Sequence, residues 1–456
     1  MLSCRSLAPV ERSTSRDRRA CNRASVSTMS IQSPPRTGRL LWTAYSPVEG
    51  DSSPIDPLRL DTYAERLGNV LFPGITNRVE RCRYFGMVCA GLESAAARVG
   101  PTARGRTHTQ LVRKAFVPYE AAWAYANVAA EGGPGIKERV DGSPMPRLRH
   151  AFRGLRGTNR ALTFWHETKD HARVDGRKGY RLLQAQEAQG GLGSYLVALR
   201  HHGFVHPDRL ALTAAGVDLA HAFVGRTSRR AVRETLSKDG SPERGVWQRA
   251  GKQLSLAGPT PEERATVQQA LFSSSSSLGR FVSLLPEELR LPERTHEAFE
   301  LVARSKDALA PDANYALRFD DLRRSSLELF ARVGEALISE SAPRRVEDVL
   351  PGDELETMTR SVAGVAERLS ALTSPPGLHP VASLAVELAG LHDAPAVFAA
   401  LTDFHRREGR RWIERVGADR YALGVPAEFR PPGEGFHGFT LPAALSVYRD
   451  VAADAT

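Results

Sequence analysis

Residues 180–223 read YRLLQAQEAQGGLGSYLVALRHHGFVHPDRLALTAAGVDLAHAF, and this stretch decides the fold. Tyr180, Leu182 and Leu183 open a helix that stops at Gly190 and Gly191. Leu192, Tyr195, Leu196 and Leu199 then recur at i, i+3, i+4 and i+7, which puts them on one buried face of a second helix. Gly203 supplies the helix stop, because a residue without Cβ enters the left-handed region cheaply. Phe204-Val205 and Leu210-Ala211-Leu212 flank the turn His206-Pro207-Asp208 as a short hairpin. Thr213 caps a last helix that buries Val217, Leu219, Ala220 and Phe223.

Helix, tight turn, helix, hairpin, helix is the order of a winged helix-turn-helix, placed here at 179–225. The piece LALTAAGVDLAHAF, residues 210–223, resembles the wing strand and following helix of bacterial winged-helix regulators. The resemblance implies a fold, and two uses for it. Winged helices dock on DNA with the second helix in the major groove, or serve as protein-docking modules in larger machines. The outward positions of that helix are Gly193, Ser194, Val197, Arg200 and His201, which offer base edges few hydrogen bonds. Both uses stay open.

A chain of 456 residues exceeds the usual size of a single core. Its 41% hydrophobic and 25% charged residues are those of an ordinary soluble protein. No apolar run reaches a membrane span, so no membrane contact is expected. Four cysteines form neither a disulfide framework nor a metal knuckle, which points to a reducing cytoplasm. The net charge of +10 is concentrated: residues 1–39 hold eight Arg against Glu11 and Asp17, a net of +6, leaving +4 for the body. Only seven of the 62 basic residues are lysine, as high-GC coding would produce.

Residues 1–38, rich in Ser, Arg and Pro, read as a disordered basic tail. The tail is either a transit-type leader or translation from upstream of a start at Met29, and the second reading is preferred because no amphipathic face emerges. An N-terminal helical domain covers 39–178, with a short strand at 40–46 and a helix capped by Asp61. Within it, Asn77 and Glu80 have capping-box spacing before a long buried helix. Arg78, Arg81 and Arg83 in its first turns oppose the helix dipole and require an acidic partner, a carboxylate from another helix or a phosphate. The segment LFPGITNRVERCRYF (71–85) resembles uncharacterised proteins encoded near bacterial anti-phage defence genes, in which a similar segment precedes a GGLGSYL-like winged helix. Residues 101–131 give two helices, the second begun by Pro118 and packing Tyr119 and Trp123 inward. The densest basic stretch of the body follows: Arg139, Arg147, Arg149, Arg153, Arg156 and Arg160, with GLRGTNR (154–160) as a candidate phosphate nest.

Residues 226–374 read as a central helical domain whose first part, through Lys252, is again strongly basic. Helix starts are expected at Thr260-Pro261, Leu285-Pro286 and Pro311-Asp312, with serines 273–277 as a break. A C-terminal helical subdomain, 375–456, carries a β-hairpin of 412–416 and 421–425 around Gly417-Ala418-Asp419. The fold class expected is thus mainly α, a multi-helix protein with an embedded winged helix-turn-helix and a C-terminal β-hairpin.

Nothing matches a P-loop, G-x-S-x-G, H-E-x-x-H or zinc-finger spacing. Glu167-Thr168-Lys169 with Asp141 is a chance-level likeness to the metal-binding E-x-K of nucleases, and His201, His202 and His206 read as a solvated helix end. No cofactor, metal site or catalytic residue is expected. The reading is a non-catalytic, DNA-associated adaptor or regulator, which the second resemblance implies is part of an anti-phage defence system. The alternatives are an effector subunit such as a metal-dependent nuclease, and a transcriptional regulator. Duplex DNA contacts are expected from Arg200, Arg209, Arg229, Arg230 and Arg233, with Arg153 and Arg156 as a second area, and protein subunits of a larger complex as partners.

Overall fold

The computed structural model describes residues 56–100, 105–139, 146–167, 182–183, 185–225, 244–340, 342–424 and 437–452, all within the unit Ser46–Thr456. The tail 1–38, the strand expected at 40–46, Tyr180, and Arg229, Arg230 and Arg233 lie outside the described residues. The protein is mainly helical. Helices α1 (Leu60–Leu71), α2 (Cys82–Val99) and α3 (Gly105–Ala130) come first, and α4 (Thr158–Glu167) follows a two-residue pair of strands, β1 (Lys137–Glu138) and β2 (Arg147–Leu148). The stretch 185–225 holds α5 (Gln186–Gln189), α6 (Gly191–His201) and α7 (Ala214–Val224). Beyond it run α8 (Arg244–Gln253), α9 (Pro261–Phe272), α10 (Ser277–Ser283), α11 (Thr295–Ala303) and the long α12 (Ala310–Ile338). The C-terminal part contains α13 (Val346–Val349), α14 (Gly352–Ser370), α15 (His379–Ala389), α16 (Ala394–Arg407) and α17 (Leu441–Ala452). Near its end a small antiparallel sheet orders β3 (Arg344–Arg345), β5 (Arg420–Leu423) and β4 (Ile413–Val416), with β5 central.

Two helices organise the packing. Every residue from Arg81 to Leu92 is buried, so α2 is apolar on all sides apart from the charged residues at its start, Arg81 and Arg83. Small residues let neighbours close on it: a Cβ at Gly91 would lie 2.5 Å from the Phe116 ring of α3, and one at Gly86 2.8 Å from Phe223 of α7. Helix α12 is the second hub, packing on α1, α11, α14 and β5. One continuous hydrophobic cluster runs from Leu58 to Val451.

Several helix ends differ from expectation, each for a tertiary reason. Helix α1 is capped by Asp56, whose carboxylate accepts from the N–H groups of Leu60 (3.0 Å) and Asp61 (2.7 Å), while Asp61 itself pairs with Arg323 of α12. The Asn77–Glu80 capping box does not form. Helix α2 begins at Cys82, and its first N–H is taken by Asp450 of α17 at 2.9 Å. Pro118 does not start a helix but sits inside α3, where close packing of Phe116, Tyr119 and Trp123 carries the helix through it. Leu285-Pro286 leads into a 3-10 turn, Glu287–Leu289, and not an α-helix. By contrast, the Thr260–Glu263 capping box of α9, the Pro at the start of α12 and the 413–423 hairpin form as the local sequence directs.

Candidate functional site

The stretch 185–225 is built around a buried carboxylate that its own sequence does not contain. Glu120 of α3 is fully buried and accepts from Gln186 Nε2 at 2.8 Å and from the backbone N–H of Gly191, the first residue of α6. An anion there satisfies an orphan amide and faces the positive end of the helix dipole. Burial raises the Glu120 carboxyl above its usual range, against the lowering pull of those hydrogen bonds. The glycines are a steric consequence. A Cβ on Gly190 would stand 2.4 Å from Glu120, one on Gly191 2.8 Å from Tyr84, and one on Gly193 2.1 Å from the Ala188 carbonyl. Leu182 and Leu183, expected in the preceding helix, lie in a bend, and only Gln186–Gln189 is helical.

Helix α6 ends as expected at Gly203, φ 77°, with Phe204 N–H donating to Leu199 O (2.8 Å) and Gly203 N–H to Arg200 O (3.2 Å). That pair of bonds is the Schellman stop. The hairpin is reduced to one bridge, Val205 with Leu212. Thr213 caps α7 by accepting from Gly216 N–H at 3.2 Å.

Helix α6 packs on α2 and α5, so its outward face is narrow. Tyr195 stacks on Tyr84 and its hydroxyl accepts from the N–H groups of Glu80 and Arg81, both at 3.0 Å. Ser194, expected to face outward, is buried at 4% exposure, while Val197 is 54% exposed. Arg200 is half-buried near the helix end; Arg209 stands exposed on the hairpin, 3.1 Å from His206 Nε2.

Arg153 and Arg156 are brought together with residues that local reading had no means to connect to them. The Tyr84 hydroxyl accepts from Arg156 N–H at 2.8 Å, and Arg156 Nη2 donates to Arg78 O at 3.0 Å. Arg81, nearly buried, donates through Nε to Asp450 (2.8 Å) and through Nη1 to Ala151 O (2.6 Å). The acidic partner demanded by this arginine is thus a carboxylate from another helix. Arg83 likewise pairs with Glu263 of α9 and lies 4.7 Å from the Phe223 ring centre. Residues 146–160, anchored this way, contain no acid, and their Arg147, Arg149, Arg153 and Arg160 are exposed. Of these, Arg149 is paired with Glu131 at 2.7 Å.

Beside Arg153 four segments close a cleft of about 690 Å3: the turn before α2, the turn at 150–153, the 3-10 turn Pro292–Arg294, and α17. Glu80, Glu293, Ser446, Arg449 and Asp450 join Arg81, His150 and Arg153 in its lining. Arg449 Nη1 lies 3.2 Å from His150 Nε2. A guanidinium only donates, so Nε2 is the acceptor and the imidazole proton sits on Nδ1. Burial, and then the charges of Arg449, Arg153 and Arg81, hold His150 below its usual range, against the pull of Asp450.

Among the described residues no group of three His, Cys, Asp or Glu is arranged to hold a metal. Lys169 and Asp141 lie outside the described residues, and Glu167 ends α4. His202 faces Ala270 O at 3.1 Å, which is a structural bond. No helix among the described residues is long and apolar enough to cross a membrane. Comparison with protein-family models, with curated proteins and with solved structures finds no match to this chain.

Proposed function

We propose that the protein is a non-catalytic adaptor that associates with duplex DNA through phosphate contacts, its winged helix acting as a braced structural module that reads no bases. The observation that supports this is the acid-free segment 146–160, held rigid by Arg81 and Tyr84 with Arg147, Arg153 and Arg160 turned to solvent. Guanidinium groups carried on an anchored, acid-free backbone can neutralise phosphates, whereas base reading requires an exposed helix face. Helix α6 offers only Gly193, Val197, Arg200 and His201 for that purpose. The defence-system setting rests on the resemblance of 71–85 and 190–196 alone. A second reading, a protein-docking winged helix, is favoured by the 54% exposure of Val197 on α6.

Gel retardation of a chain lacking residues 1–38 tests the proposal. Retention of unrelated duplexes with equal affinity is expected at low salt. Loss of that retention in Arg147→Ala/Arg153→Ala/Arg160→Ala supports the phosphate-contact surface. Absence of any retention, or wild-type retention by the triple variant, overturns it, and Val197→Asp then tests the docking reading in a pull-down with candidate subunits.

A further inference from the structure

The cleft beside Arg153 has a charge pattern that duplex DNA does not match. Arg81 and Asp450 pair with each other at 2.8 Å and cancel. Two cations remain, Arg153 and Arg449, and two carboxylates, Glu80 and Glu293. Among the described residues no hydrogen bond or ion pair occupies the side chains of Arg153, Glu80 or Glu293. Arg449 is held by a neutral imidazole, His150, which leaves its charge uncompensated.

Gly154, φ 82°, stands where a Cβ would meet Glu80 Oε2 at 3.4 Å and Arg81 Cγ at 3.2 Å, so the missing side chain leaves room for the Glu80 carboxylate next to the Arg153 turn. The wall behind is stiff, because the Arg81 guanidinium spans carbonyls of the 150–153 turn and Leu256 O at 3.3 Å. A cavity of about 690 Å3 suits a small molecule. A phosphate would bring two negative charges to a lining whose uncommitted charges cancel. A ligand carrying one charge of each sign satisfies all four groups.

We propose that this cleft binds a small zwitterion of the amino-acid or dipeptide class, its carboxylate on Arg153 and Arg449 and its ammonium on Glu80 and Glu293. Such a ligand adds a small-molecule input to the protein, beyond the DNA association proposed above. Isothermal titration and thermal shift on the full chain test it, with the common L-amino acids and diglycine as probes, and succinate, inorganic phosphate and putrescine as single-sign controls. Saturable binding of at least one zwitterion at millimolar or lower concentration is expected, with none of the controls binding comparably. Arg153→Gln and Glu293→Gln should each weaken that binding at least tenfold with an unchanged melting temperature. No zwitterion binding at millimolar concentration, equal binding of succinate or phosphate, or wild-type affinity in both variants overturns the proposal. Glu293→Gln should leave DNA retention intact, so failure here and failure of the DNA reading are separable.

Discussion

At the scale of single residues, Gly203 and His202 show how differently two neighbours act. Gly203 has φ 77° and open space where a Cβ would go, so substitution there reports backbone strain alone. Gly203→Ala should cost about 1–2 kcal/mol, Gly203→Val more, and Gly203→Asn less, since Asn tolerates the left-handed region. Equal melting temperatures across the three would place the stop of α6 elsewhere. His202 donates to Ala270 O, and its buried Nε2 has no partner among the described residues. Burial, and then the neighbouring His201, depress its pKa to about 4. The neutral form therefore stabilises the fold fully above the unfolded value near 6.5 and loses that contribution as pH falls through about 4. The stability of the wild type relative to His202→Gln, from urea melts, should fall by up to roughly 3 kcal/mol over that window. A pH-independent difference would show that the imidazolium is accommodated.

At the scale of elements, the arginines that open α2 determine how distant helices meet. Arg83 is buried against Glu263, which also closes the capping box of α9 by accepting from Thr260 N–H at 2.9 Å. Burial pushes the Glu263 carboxyl up to about 7, with Arg83 pulling the other way. Removing one partner leaves an uncompensated buried group, so Arg83→Met should cost about 3–5 kcal/mol, while Arg83→Met with Glu263→Leu should cost clearly less than the two single changes together. Additive costs in that cycle would mean that the pair is not coupled. Asp450 plays the matching part for α17, since it caps α2 and holds Arg81 at once.

At the scale of the whole molecule, the segment 185–225 with α5, α6 and α7 packs against the N-terminal helices. Its glycine turn rests on Glu120 of α3, its second helix on α2, and its third helix, α7, also on α2. The phosphate contact proposed for the 146–160 segment carries a definite salt signature. The slope of log affinity against log salt should flatten by about one for Arg153→Ala, with equal loss on every duplex sequence. An unchanged slope would remove Arg153 from the interface.

The mainly α character, the buried axis of α2, the start of α9, the Gly203 stop and the hairpin around Gly417 were legible in the sequence, because each depends on residues within a turn or two of one another. Periodicity and capping chemistry act at that range. The expected sites were legible only as charge: Arg153 and Arg156 stand out as arginines, but nothing local relates them to Arg449 or Glu293. Tertiary structure alone decided which carboxylate caps which helix, that Pro118 lies inside α3, that Ser194 is buried, and that four remote segments close a cleft. The physical reason is burial. Local sequence states that Arg81 and Arg83 need anions and that Gly190 and Gly191 lack side chains, whereas the acids that answer them, Asp450, Glu263 and Glu120, are chosen by which helices the common core brings into contact.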